Sequence, residues 1–131
     1  METAPRHQAR ERALTLLYEA ELKDATPSAV LGELPVAPDG YTTALVETVE
    51  SRRPEIDGMI DETAIGWDLD RMAVVDRNVL RLAVAELLTR PDVPTAVILN
   101  EAVELASAYS TDDSGRFVNG VLATLAARIR H

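Results

Sequence analysis

Apolar residues recur along this chain at helical spacing, and that period constrains the fold more than any other feature. Ile98, Ala102, Leu105, Ala106 and Tyr109 fall at i, i+4, i+7, i+8 and i+11, one face of an α-helix. After a polar cluster, Ser110–Ser114, the pattern repeats in Phe117, Val118, Val121, Leu122, Leu125 and Ile129. Asp112 or Asp113 is placed to accept hydrogen bonds from the first N–H groups of that second helix, and its charge suits the positive end of the helix dipole. Gly120 lies inside the second pattern, where Gly costs about 1 kcal/mol relative to Ala. Close approach of another backbone would account for it.

The same spacing runs through the rest. Ala9, Ala13, Leu16, Leu17 and Ala20 make a stripe over residues 6–23, widened by Leu14, Tyr18 and Leu22. Thr26-Pro27 reads as an N-cap followed by Pro at the first helical position, opening a short helix through Leu34. Pro35 and Pro38 close it, and Asp39 caps a third helix through about Ser51, with Tyr41, Leu45 and Val49 on one face. Pro54 tolerates a first-turn position, so Pro54–Ala64 is a separate or kinked helix carrying Ile56, Met59 and Ile60. Gly66 is its stop, and Trp67 and Leu69 are expected to tuck into the core beyond it. Val75, Val79, Leu80, Ala83, Val84 and Leu87 form the strongest apolar face, with Asp76, Arg77 and Arg81 mostly opposite. Arg90-Pro-Asp-Val-Pro94 is a turn, and Pro94 starts the next helix. The Val-rich pieces lack strand alternation, so the expected fold is all-α. Met1 to Pro5 has no pattern and reads as a loose arm.

At 131 residues, 47 % of them apolar, the chain suffices for one compact domain or two small packed subdomains burying roughly two-thirds of its unfolded surface. It has no Cys, which excludes disulfides and thiolate zinc sites. No apolar run approaches a membrane span and no signal-peptide pattern opens the chain, so the cytoplasm is the expected compartment. Enzyme readings fail on inventory. The two histidines, His7 and His131, stand at opposite ends without acidic residues at catalytic or ligand spacing, and no phosphate loop or nucleophile elbow appears. Neither a metal nor a cofactor is expected; Asp112-Asp113 fits a helix cap better than a metal pair.

Net charge is −9, but unevenly spread. Residues 24–75 hold three basic and eleven acidic side chains, whereas residues 1–23 hold four of each and residues 76–131 six against seven. Both ends are thus nearly neutral, and the acidic middle suits a basic protein partner. Arg6 and Arg10, one turn apart, would project together. On their own they read as an ordinary solvated helix end, with a phosphate contact as the alternative. Phe117 is either a core anchor or a base-stacking platform beside Arg116, with Tyr109 placed to lie next to it. Asn100 and Asn119, if buried, would hydrogen-bond across the helix pair.

Val75-Asp-Arg-Asn-Val-Leu-Arg-Leu-Ala-Val-Ala-Glu-Leu-Leu88, Asp92-Val-Pro94, Asn100-Glu-Ala-Val-Glu-Leu-Ala106 and Asp113-Ser-Gly-Arg-Phe-Val-Asn-Gly-Val-Leu122 resemble the C-terminal half of the NusB family of bacterial transcription antitermination factors. Arg6-His-Gln-Ala-Arg-Glu-Arg-Ala-Leu-Thr-Leu-Leu-Tyr-Glu-Ala20 resembles that family's Arg-rich opening helix, although the consecutive basic residues often found there are interrupted. The resemblance implies two small packed helical subdomains, about 6–53 and 54–131. It implies binding to the boxA element of ribosomal RNA transcripts together with the small-subunit ribosomal protein that acts as NusE, within the antitermination complex of RNA polymerase. Arg6, His7, Arg10, Tyr18, Asp113, Arg116 and Phe117 would then be the RNA-binding residues, and Asp76, expected on an exposed side of its helix, the partner contact. Some members form homodimers that cover the RNA surface. A helical protein-binding adaptor without RNA is the alternative. A third reading, the RNA-binding appendage of a ribosomal RNA methyltransferase, leaves no room in 131 residues for the methyltransferase.

Overall fold

Residues 5–130 are described by the structure, a computed structural model; His131 and the opening arm before Pro5 lie outside them. Among the described residues there are seven α-helices: α1 (Arg6–Leu22), α2 (Pro27–Glu33), α3 (Gly40–Ser51), α4 (Arg53–Thr63), α5 (Val74–Thr89), α6 (Thr95–Tyr109) and α7 (Asp112–Ile129). A 3₁₀ turn, Leu69–Arg71, joins α4 to α5, and no strand occurs among these residues. The chain is all-α.

Side-chain caps set several of these bounds. The Ala29 N–H donates to Thr26 Oγ1 at 3.1 Å and the Tyr41 N–H to Asp39 Oδ2 at 2.9 Å, as the sequence predicts. At α7 the cap is Thr111 instead of Asp112 or Asp113: its Oγ1 accepts from the Ser114 N–H at 3.1 Å. Thr111 has the extended backbone of an N-cap, and the two aspartates fall in the first helical turn, where their charges face the dipole. Gly66 ends α4 in the left-handed region at φ 85°, a conformation that favours glycine. Leu69 beyond it is buried, its N–H donating to Asp61 Oδ1 at 3.0 Å. Trp67 does not follow it inward. With Ala64 and Leu69 filling the core there, the indole stays 56 % exposed.

Helix α5 is the hub, touching α1, α3, α4, α6 and α7. Neighbours on so many sides leave little of α5 to solvent, so the polar side expected for it is largely internal. Arg81 is buried and its Nε donates to Asp57 Oδ1 at 2.9 Å, reaching α4. Arg77 and Asn78 donate to the two oxygens of Glu21 at 2.7 and 2.9 Å, clasping α1.

Helices α6 and α7 meet through a glycine other than the one singled out above. A Cβ on Gly115 would stand 2.4 Å from Ser107 Oγ and 3.4 Å from Val103 Cγ1, so the close approach is made there. Gly120 is exposed, with nothing within 4 Å of an added Cβ. Asn100 and Asn119 are also exposed and line an open groove beside Arg116 instead of bridging the helices.

Candidate nucleic-acid interface

Helical spacing puts Arg6 and Arg10 one turn apart, but packing sends them to different places. Arg6 stays half exposed, its Nη2 3.4 Å from Asp92 and its guanidinium carbon 5.0 Å from the centre of the Tyr41 ring. Arg10 is 5 % exposed. Its Nε and Nη2 donate to the buried Glu86 carboxylate at 2.8 and 2.6 Å, and the Tyr41 hydroxyl donates to the same carboxylate. Burial opposes the charge on Arg10, but Glu86 outweighs it and holds the guanidinium's pKa above its ordinary value. Arg10 therefore does not project with Arg6, because its charge is consumed by a partner beneath the helix.

His7 is half exposed, and its Nδ1 lies 2.7 Å from Glu101 Oε2; that bond and charge raise the imidazole pKa. The fold adds Glu104, bringing ligand atoms of His7, Glu101 and Glu104 within 4.8 Å of one another. This trio, invisible in the sequence spacing, has the donor set for a divalent cation. Against that, Arg10 Nη1 already sits 3.6 Å from Glu101.

The start of α7 supplies the second cluster. Asp113 and Arg116 are exposed and paired with each other. Phe117 is partly buried, and the ring beside it is Trp67, edge-on at 6.0 Å and 64°. Tyr109 instead lies against α1, where its bond to Glu11 raises the phenol pKa. Trp67, Phe117, Met72 and Ala73 wall a cleft of about 300 Å³, with Arg71 and Asp113 also in its lining. Asp76 lines the same cleft and does not stand on an outer helix face. Its Oδ2 accepts from Ser114 Oγ at 3.2 Å, while its buried Oδ1 has no hydrogen-bond partner among the described residues. Burial raises the Asp76 pKa, and the Ser114 bond only partly offsets it. Tyr18 is 39 % exposed on α1, about 18 Å along the axis from Arg6, and joins neither cluster.

The clusters at the starts of α1 and α7 are connected through α6. Glu104 belongs to the His7 trio and also lines the groove that contains Arg116. Sequence reasoning missed Trp67 and Tyr41 here. The Trp67 signal was its place directly after the stop glycine, which turns a side chain outward as readily as inward.

Fold and site together define an all-α domain whose α1 and α7 starts present arginine, histidine and aromatic side chains along a connected surface. The NusB family profile matches residues 7–127, and the chain belongs to the NusB family. It is 49 % identical over 126 residues to the transcription antitermination protein NusB of Acidothermus cellulolyticus, covering 93 % of this chain and 87 % of that one. Against the NusB of Saccharopolyspora erythraea identity is 50 % over 127 residues, with 92 % and 86 % covered. Among solved structures, T. maritima NusB superposes with a TM-score of 0.86 at 34 % identity, over 96 % of this chain and 93 % of that one. Antitermination factors NusB and NusE in complex with dsRNA give 0.77 at 30 % identity, over 94 % and 96 %.

Proposed function

We propose that this protein is an RNA-binding transcription antitermination factor that acts in the cytoplasm and catalyses no reaction. It takes the boxA element of ribosomal RNA transcripts together with the ribosomal protein NusE and joins the antitermination complex of RNA polymerase. The observation that carries this reading is the match of nearly the whole chain to relatives named as antitermination proteins. The site agrees with it in chemistry. Arg6 and His7 offer cationic groups at the start of α1; Arg116, with Asp113, and Phe117 offer a guanidinium and a ring at the start of α7. A ring beside a guanidinium suits a single-stranded base whose face is open to stacking. Trp67 extends that platform. Asp76, deeper in the same cleft, offers an anion to a basic partner. One cleft thus serves where RNA and a cationic protein meet.

The test is Phe117→Ala in a fluorescence titration of labelled boxA RNA, with circular dichroism to check the fold. Loss of one stacking surface is worth about 1–3 kcal/mol, so affinity should fall about tenfold or more while helicity is retained. Unchanged affinity in a folded variant would return Phe117 to a purely structural role.

A further inference from the structure

We propose that Arg90, on the turn between α5 and α6, is a phosphate-binding residue that works with Arg6 as a two-arginine clamp on the RNA backbone. The assignment rests on the RNA-binding reading and deepens it. Two observations carry it. The guanidinium carbons of Arg6 and Arg90 lie 5.0 and 4.7 Å from the centre of the Tyr41 ring. Both guanidiniums also reach the same carboxylate oxygen, Asp92 Oδ2, at 3.4 and 3.1 Å. Two cations are therefore gathered within reach of a single anion, a geometry that repels itself unless an anion stands between them.

The platform beneath is rigid. The Tyr41 hydroxyl donates to Glu86 Oε2, and the buried Arg10 donates to both oxygens of the same carboxylate. Burial and the Glu86 bond push the phenol pKa up to about 12, so it stays a donor at any ordinary pH. The Arg90 backbone is fixed as well: its N–H donates to Glu86 O at 2.9 Å, and its carbonyl accepts from Arg130 Nη2 at 2.7 Å. Pro91 follows and stiffens the turn.

Asp92, by contrast, is replaceable. Its side chain is 53 % exposed, and exposed ion pairs contribute little. A phosphodiester presents two non-bridging oxygens where Asp92 presents two carboxylate oxygens, and it suits the planar fork of arginine equally well. In the RNA-free protein Asp92 thus holds the place that a phosphate takes. The clamp also replaces the contribution that Arg10, spent on Glu86, does not make.

The experiment is a titration of fluorescein-labelled boxA RNA, with the basic ribosomal partner present, at several salt concentrations. Wild type is compared with Arg90→Ala, Arg90→Lys and Asp92→Asn. Arg52→Ala is the control, since Arg52 lies about 16 Å from Tyr41 along α3. Arg90→Ala should weaken binding about tenfold and lower the salt slope by about 0.7. Arg90→Lys should keep most of the slope but lose affinity, since an ammonium neither forks nor stacks. Asp92→Asn should tighten binding a few-fold. If Arg90→Ala misfolds, Arg90→Lys and Asp92→Asn decide. Wild-type affinity and slope in Arg90→Ala, or a loss confined to binding of the protein partner, would overturn the clamp and leave the RNA-binding reading standing. Absence of RNA binding by wild type would overturn both.

Discussion

Two arginines one turn apart on α1 have opposite fates because what lies beneath each differs. Arg10 meets Glu86 and disappears from the surface, while Arg6, among the described residues, meets the ring of Tyr41 and the exposed Asp92. Helical spacing gives the face on which such residues start, but the partner that captures one of them comes from α5, 76 positions away in sequence. That is why the spacing alone has Arg10 projecting beside Arg6 as a solvated helix end, when it is buried against Glu86. Glu21 shows the same long-range dependence with a pH signature. Burial disfavours its charge, but the bonds from Arg77 and Asn78 outweigh this and lower its pKa. A carboxylate lowered on folding stabilises the protein above its unfolded value of about 4.5, and that stability is lost as pH falls through the folded value. Glu21→Gln should therefore cost about 2 kcal/mol at pH 7. The difference from wild type should shrink on acidification below pH 4.5 in melting experiments, and a constant difference would contradict the assignment.

Helices were the most legible level. Apolar period, Pro at first turns and the caps Thr26 and Asp39 locate all seven, because these signals are local. How helices pair is not local, and the two glycines of α7 show the cost. Gly120 drew attention by sitting in the apolar pattern, yet Gly115 is the residue against which Ser107 of α6 packs. Gly120→Ala should accordingly stabilise the protein by about 1 kcal/mol, through helix propensity. Gly115→Ala should destabilise it by about 1–2 kcal/mol, because Ser107 must rotate or the helices must part. Ser107→Ala should restore part of that loss by removing the colliding oxygen. Thermal melts of the four proteins, wild type included, check this, and equal effects at the two glycines would refute the packing argument.

For the molecule as a whole, a net charge of −9 opposes its approach to a polyanion. The sum and its concentration in residues 24–75 are plain in the sequence. What the sequence hides is that His7 and Arg116, from opposite ends of the chain, are linked through Glu104 of α6, which belongs to the His7 trio and lines the groove of Arg116. The acidic charge gives that surface a condition for working. Repulsion acts over about 10 Å at moderate ionic strength, so favourable local contacts are penalised until a cation offsets the field. In the function proposed above, a basic ribosomal partner would supply that cation and extend the phosphate-binding surface, and by linkage RNA would tighten the protein pair by the same factor. The direct measurement is the affinity of wild-type protein for boxA RNA at increasing concentrations of the ribosomal partner. The expected result is weak binding alone and a gain of about tenfold or more with the partner, a coupling within the usual 1–3 kcal/mol. An RNA affinity indifferent to the partner, or no RNA binding at any partner concentration, would contradict it.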